Sequence, residues 1–231
     1  MFSSRRLRAS LRMVIVVLSA FALFGCATTQ KPLVGIVPGK SVETLQSAVG
    51  ITATSGEHST GGRGYLAYKA PDLFHLALVS PFGQSVLEAF AVSDRFTALF
   101  PSKQTAYSGY LSELPETSSL KSMGLLKWVM VPAPASTERE STGSSGDRYF
   151  FDARGLLERK VSPEGDEVFY EQYRNVDGVA FPESIRIANR FGASVTISFE
   201  DPQVNAVIDN SVLTPNLEGF TVLPLMMFKG M

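Results

Sequence analysis

Cys26 is the one thiol in the chain, and the other side chains able to do chemistry are few and scattered. A thiol can be acylated, oxidised or used as a nucleophile, but a cysteine protease needs a histidine to activate it. The two histidines, His58 and His75, stand seventeen residues apart, and neither has a second histidine at metal-ligand spacing. Ser118-x-x-Lys121 places a hydroxyl one helical turn from an amine, yet no Ser-Asp-Asn or Lys-Thr-Gly follows to complete an acylating site. No Gly-x-Ser-x-Gly occurs. Glu164, Asp166 and Glu167 crowd together beside Pro163 and Gly165, which is the composition of a solvated turn. Gly62-Arg63-Gly64-Tyr65-Leu66-Ala67 fits a relaxed dinucleotide fingerprint, but it opens an aromatic, strand-like run instead of a helix, so it reads as a hairpin turn. A hydrolase would need two carboxyl groups facing across a cleft, or a positioned serine. The inventory points away from an enzyme, from metal and from any soluble cofactor.

The surroundings of Cys26 give its thiol a different use. Arg5, Arg6, Arg8 and Arg12 precede an apolar run from Met13 to Phe24, then Gly25. A basic region, a short apolar region and a small residue before the cut form an export signal. These twelve residues are too few to span a bilayer core, which takes about 20. Ser4-Arg5-Arg6 is a faint twin-arginine start, but Arg8 fits an ordinary basic region better. Leu23-Phe24-Gly25-Cys26 resembles the lipobox of bacterial lipoproteins, whose cysteine becomes the acylated first residue. The alternative is a plain secretory signal with a chance cysteine. Under the lipoprotein reading, covalent acyl chains on Cys26 are the only non-protein group expected, and no free thiol remains. Ala27 is not the Asp that holds lipoproteins at the inner membrane of enteric bacteria, so the expected location is the periplasmic face of the outer membrane. The net charge of −1 and the lack of a basic stripe exclude nucleic acid as a partner.

The 231-residue chain less its first 25 residues leaves 206, enough for one domain with a real core. The expected division is a signal peptide over 1–25, an acylated N-terminus and tether over 26–40, and a single domain over 41–231. Val42, Leu45 and Val49 have helical spacing and predict a short helix from Ser41, turning to strand near Gly50. Then come strand-length runs between turn residues: Gly64–Lys69, Leu73–Val79, Val86–Val92, Arg95–Phe100 and Thr105–Tyr107. The apolar pattern of Leu120, Met123, Leu125, Leu126, Trp128 and Val129 predicts a helix over 118–131 packed on the sheet. Residues 132–147 read as a mobile loop. Strands resume over Arg148–Phe151, Leu156–Ser162, Glu167–Arg174, Val179–Ala188 and Ala193–Phe199, and the tail from Asn205 ends apolar. The class is mainly β with two helical insertions: nine to eleven antiparallel strands in one curved sheet that closes toward a barrel.

Three strings carry a family resemblance. Ser80-Pro81-Phe82-Gly83-Gln84-Ser85-Val86-Leu87-Glu88 is similar to the Pro-Leu-Gly turn and following strand of the LolB lipoprotein receptors, and more loosely of their LolA partners. Leu125-Leu126-Lys127-Trp128-Val129 resembles that family's Leu-x-x-Trp helix. Phe181-Pro182-Glu183-Ser184-Ile185-Arg186-Ile187, then Val195-Thr196-Ile197-Ser198, resembles its last two strands. The resemblance runs in order over roughly residues 41 to 205. It implies an unclosed half β-barrel with a helical lid, whose apolar cavity carries the acyl chains of other lipoproteins handed over by a LolA-like periplasmic carrier. It implies no catalysis, and the chain is expected to act as a monomer. Exposing one sixteen-carbon chain to water costs about 12 kcal/mol at ~0.8 kcal/mol per CH₂, so such chains cannot cross the periplasm uncovered.

Carried onto this chain, Pro81, Phe82 and Gly83 form the membrane-contact loop, with Phe82 where the family has Leu. The opposing reading folds Phe82 back onto the sheet. Period-two alternation selects cavity candidates: Phe74, Leu76, Leu78, Leu87, Ile185, Ile187, Val195, Ile197 and Phe199, with Trp128 lining the lid. Met123, Met226 and Met227 would suit an adaptable acyl site. An ordinary dry core would use the same residues. The competing function is a structural or sensor lipoprotein of the cell envelope that uses the fold without lipid transfer.

Overall fold

A computed structural model of the chain describes residues 33–114, 126, 128–130 and 138–228. Cys26 with its signal, Ser118-x-x-Lys121 and Met123 lie outside the described residues. Among these residues thirteen strands form one sheet. They are β1 (Thr44–Ser55), β2 (His58–Lys69), β3 (Leu73–Val79), β4 (Ser85–Val92), β5 (Arg95–Phe100), β6 (Thr105–Tyr110), β7 (Glu140–Thr142), β8 (Arg148–Phe151), β9 (Leu157–Val161), β10 (Glu167–Val176), β11 (Val179–Ala188), β12 (Ala193–Val204) and β13 (Thr221–Pro224). Their spatial order is β13-β6-β5-β4-β3-β2-β1-β12-β11-β10-β9-β8-β7. The two ends never meet, so the curved sheet stays unclosed, as expected from the sequence.

Hairpin turns explain most of this order, because short connections leave consecutive strands no option but to pair as antiparallel neighbours. The long pairing of β1 with β12 joins the two meanders, with Val49 opposite Phe199 and Ile51 opposite Ile197. Three expectations are corrected. The helix from Ser41 is absent: β1 starts at Thr44, with Leu45 and Val49 both facing the core. Four residues is one helical turn but also two strand periods, and buried Ser47 fills the inward position between them. The loop over 132–147 contains β7 at Glu140–Thr142. The tail adds β13, which lies parallel to β6 and is the one exception to antiparallel pairing.

Inward side chains of β1–β6 and β9–β12 make one apolar cluster, in which Leu45, Tyr68, Phe74, Phe96, Val168, Phe181 and Ile197 are almost wholly buried. Leu126 and Trp128–Met130 are helical and pack against that inner face. The outer face is covered in part by the C-terminal segment. Ile208 and Leu213 pack on Ala67 and Leu73, then Leu217 and Phe220 on Phe90, Leu99 and Ala106. After β13 the chain turns inward, and Leu225 and Phe228 join the inner cluster.

Gly64 lets β2 approach β3 closely. A Cβ at Gly64 would stand 2.2 Å from the Ala77 carbonyl oxygen, a backbone atom that cannot swing aside. Gly64→Ala is therefore expected to destabilise the domain by about 2 kcal/mol or more. A lower midpoint in urea with an unchanged slope checks this, and an unchanged midpoint would show that the two strands can part without loss.

Candidate functional site

All ten predicted cavity residues fall in the inner cluster. Phe74, Leu76, Leu87, Ile185, Ile187, Ile197 and Phe199 are buried, while Leu78, Trp128 and Val195 are half-buried against them. Alternation along each strand brings them together, since neighbouring strands keep the same face inward through Leu76–Leu66, Ile185–Ile197 and Ile197–Ile51 pairs. Two open cavities, of about 760 and 290 Å³, lie elsewhere, the larger against Gly61–Gly64 and Pro81, the smaller beside His75 and Asp201. Neither is lined by any of the ten. Met226 and Met227 are exposed, not part of the inner face.

The β3–β4 turn projects its apex away from the sheet. Ser80 N–H donates to the Gln84 carbonyl at 2.8 Å, and Gly83 N–H donates back to the Ser80 carbonyl at 2.9 Å. The Ser80 hydroxyl oxygen accepts from the N–H groups of Phe82 and Gln84, each at 3.3 Å. Gly83 has φ of +79°, a conformation that favours glycine. Phe82 is held at the apex with 91% of its surface exposed, so it does not fold back onto the sheet.

Sequence reasoning missed a buried polar group beneath the helical stretch. Lys160 is fully buried on the inward side of β9, opposite Val168 of β10 and Tyr149 of β8. Its ammonium donates to the Trp128 carbonyl at 2.9 Å and sits 4.5 Å from the Trp128 ring. Tyr170 donates its hydroxyl to the Val129 carbonyl at 2.8 Å. An α-helical carbonyl at Trp128 would look to residue 132 for an N–H, and Pro132 has none. The sheet supplies the missing donors.

The buried carboxylate of Asp147 accepts from Trp128 Nε1 at 3.1 Å and from the Ser145 hydroxyl at 2.6 Å. Burial lowers the Lys160 amine to about 8, opposed by the Asp147 charge. Burial likewise raises the Tyr170 phenol well above its ordinary range and raises Tyr149. Leu157-Glu158-Arg159-Lys160 reads in sequence as a charged surface strand, and no local signal in it marks the lysine as inward.

His75 lies on the outer face, its ring stacked on Phe90 at 4.0 Å and its Nε2 3.3 Å from Glu88 Oε2. The hydrogen bond from His75 holds the Glu88 carboxyl below its ordinary range. Among the described residues no group of three His, Cys, Asp or Glu side chains could hold a metal ion. Leu33–Lys40, assigned by sequence to the tether, lies against the β10–β11 turn: Val37 N–H donates to Gly178, Asn175 to the Val34 carbonyl, and Lys40 to Asp177.

Comparisons with known proteins agree with this architecture. Solved structures with similar folds include a LolA-superfamily protein of Nitrosomonas europaea (TM-score 0.50, 13% identity, 78% of this chain and 93% of that one). A DUF1329-family protein of Desulfovibrio piger gives a TM-score of 0.56 at 10% identity, over 76% of this chain and 91% of that one. A Vibrio parahaemolyticus domain described as an outer membrane lipoprotein-sorting protein gives 0.51 at 8% identity, over 73% and 88%. At such identities these likenesses speak for the fold. No curated protein sequence matches the chain. The family model described as "Outer membrane lipoprotein LolB" matches residues 44–201, which takes in every strand from β1 to β11 and most of β12. The chain therefore belongs to the LolB family.

Proposed function

We propose that this protein is an outer-membrane lipoprotein, anchored through acyl chains on Cys26, that accepts the acyl chains of other lipoproteins from a LolA-like carrier and helps insert them into the membrane. The observation that carries the reading is an unclosed sheet with a continuous apolar inner face and a rigid turn that exposes Phe82. Both features serve partition of apolar surface and require no titrating group. Chain entry would part the helical stretch at Trp128–Met130 from the sheet, with Lys160, Asp147 and Tyr170 as the contacts to be broken. The receiving residues would then be the inward ones, Phe74 to Phe199, and the delivery contact Phe82 between Pro81 and Gly83.

Phe82→Glu tests this directly. The substitution is expected to leave the fold and acyl binding intact, because the side chain touches solvent. Delivery of an acylated client into vesicles should fall at least about tenfold, the worth of a buried phenyl ring. Full delivery by the variant would remove Phe82 from the mechanism.

One observation favours a second reading, a structural or sensor lipoprotein on the same fold: among the described residues the ten inward side chains pack on one another in a single cluster. Native mass spectrometry of the purified protein separates the two. Co-purified acyl chains support the receptor, and a ligand-free protein bound to a fixed protein partner supports the alternative.

A further inference from the structure

The β3–β4 turn has a near-copy at the other side of β1 and β2. In the β11–β12 connection, Asn189 N–H donates to the Ala193 carbonyl at 2.9 Å and Gly192 N–H donates to the Asn189 carbonyl at 3.1 Å. Asn189 Oδ1 accepts from the N–H groups of Phe191 and Ala193, at 3.0 and 2.9 Å. Gly192 has φ of +84°. Position by position, this matches Ser80-Pro81-Phe82-Gly83-Gln84: a polar first residue accepting the same two amides, an apex at the third position, a left-handed glycine at the fourth. Phe191 occupies that apex, 59% exposed.

Three other turns share the backbone plan and serve as internal controls. The connections from Gly143, Asp152 and Ser162 make the same pair of backbone bonds, with Gly146, Gly155 and Gly165 left-handed. Their third positions hold Ser145, Arg154 and Glu164, all exposed. The turn thus accepts a polar apex without difficulty, and nothing in its geometry calls for phenylalanine. Two exposed phenyl rings at equivalent apices need another cause.

Strand registers put both apices at one end of the sheet. β1 runs out at Ser55, opposite His58 of β2 and Ala193 of β12, so the turn carrying Phe191 emerges there. β3 ends at Val79 opposite Arg63, so the turn carrying Phe82 leaves toward the same end. The Arg190 guanidinium lies 4.8 Å from the Phe191 ring, a cation beside an apolar apex. An exposed ring suits the acyl boundary of a lipid interface, while Arg190 is tied to the neighbouring β9–β10 turn, its Nη1 donating to the Glu164 carbonyl at 3.5 Å and its N–H to Asp166 Oδ1 at 3.2 Å.

We infer that Phe191 is a second membrane-contact apex, entering the same lipid surface as Phe82. The inference rests on the membrane role proposed for Phe82 and extends it from one contact to two, which would fix the sheet's tilt as well as its distance from the bilayer.

Cys26 is the only cysteine, so the full chain carrying Cys26→Ser accepts single reporters. A fluorophore sensitive to polarity is placed by Phe82→Cys, Phe191→Cys or Arg154→Cys and mixed with phosphatidylethanolamine–phosphatidylglycerol vesicles. Labels at 82 and 191 are expected to brighten and shift to the blue, and the label at 154, in a turn at the opposite end, to stay unchanged. Phe191→Glu, with Phe82 intact, should weaken vesicle co-sedimentation about tenfold. If the label at 191 behaves like that at 154 while 82 responds, the second contact is overturned and the role of Phe82 stands. If 82 is silent too, the membrane reading of Phe82 itself fails. A response at 191 to raised protein concentration and not to vesicles would make the apex a protein contact and overturn the inference.

Discussion

Lys160→Met is expected to destabilise the domain by about 1–3 kcal/mol at pH 7, the range for leaving a buried acceptor, here the Trp128 carbonyl, without its donor. Met matches the lysine stem in length and fills the space between Trp128 and Tyr149, so packing is conserved. What is lost is the donor to the Trp128 carbonyl and the cation facing buried Asp147. Adding Asp147→Asn should recover part of the loss, because the orphaned charge is then gone while the amide can still accept from Trp128 Nε1. A double variant no more stable than Lys160→Met would show that Asp147 is not the partner.

The same pair predicts a pH signature. The folded amine sits at about 8, below the 10.5 of a free lysine, so the ammonium penalises the fold below pH 8. That penalty is relieved as pH rises from about 8 toward 10.5, by up to about 1.4 kcal/mol per pH unit. Tyr149 and Tyr170 act in the opposite sense. Their raised phenols lose stability to the unfolded chain only as pH climbs past about 10. Between pH 7.5 and 9.5 the stability gap between the native chain and Lys160→Met should therefore widen. Urea titrations at both values measure it, and a constant gap would mean that the ammonium is not desolvated.

The sequence is most readable where structure is local. β3, β5 and β11 have the bounds that turn residues predict, because Asp72 and Ser80-Pro81, Asp94 and Pro101, and Gly178 and Asn189 flank them and mark where each strand must stop. The ten inward residues are readable for the same reason, since alternation needs no knowledge of a partner strand. Legibility fails where the decisive contact is distant. The alternation of β1 is masked by Ser47, whose hydroxyl is satisfied by the carbonyls of Ala48 and Glu200. Lys160 looks like a surface residue until Trp128 and Asp147 are brought over it. β13 is four residues long and pairs with β6 more than a hundred positions earlier, so no local period announces it. Phe191 was legible in principle: Asn-Arg-Phe-Gly repeats the polar-x-Phe-Gly plan of Ser80–Gly83.

Leu225→Ala should cost about 2–5 kcal/mol and Phe228→Ala about 3–5 kcal/mol, whereas Met226→Ala should lie within about 0.5 kcal/mol of the native chain. The three residues are nearly adjacent, so the contrast comes from where each side chain goes. Leu225 is completely buried beside Gly109 of β6, where a Cβ added to the glycine would stand 2.9 Å from that of Leu225. Phe228 stacks on Phe100 at 5.7 Å and meets Tyr107 edge-on at 5.4 Å. Met226 is two-thirds exposed.

The segment from Asn205 onward lies beyond the family match, yet it covers β2–β6 on the outside, pairs with the β6 edge and fills the inner face behind it. Deleting it would bare Phe90, Leu99 and an unpaired strand together, so loss of cooperative folding is the expected result. Denaturation of the three point variants reads the same contact quantitatively. If Leu225→Ala costs no more than Met226→Ala, the tail peels away in solution, and the β6 end of the inner face is open to a ligand. If the contrast holds, the tail is part of the wall, and the acyl entry proposed above is confined to the seam between the sheet and Trp128–Met130, where Lys160 and Tyr170 hold the helical residues down.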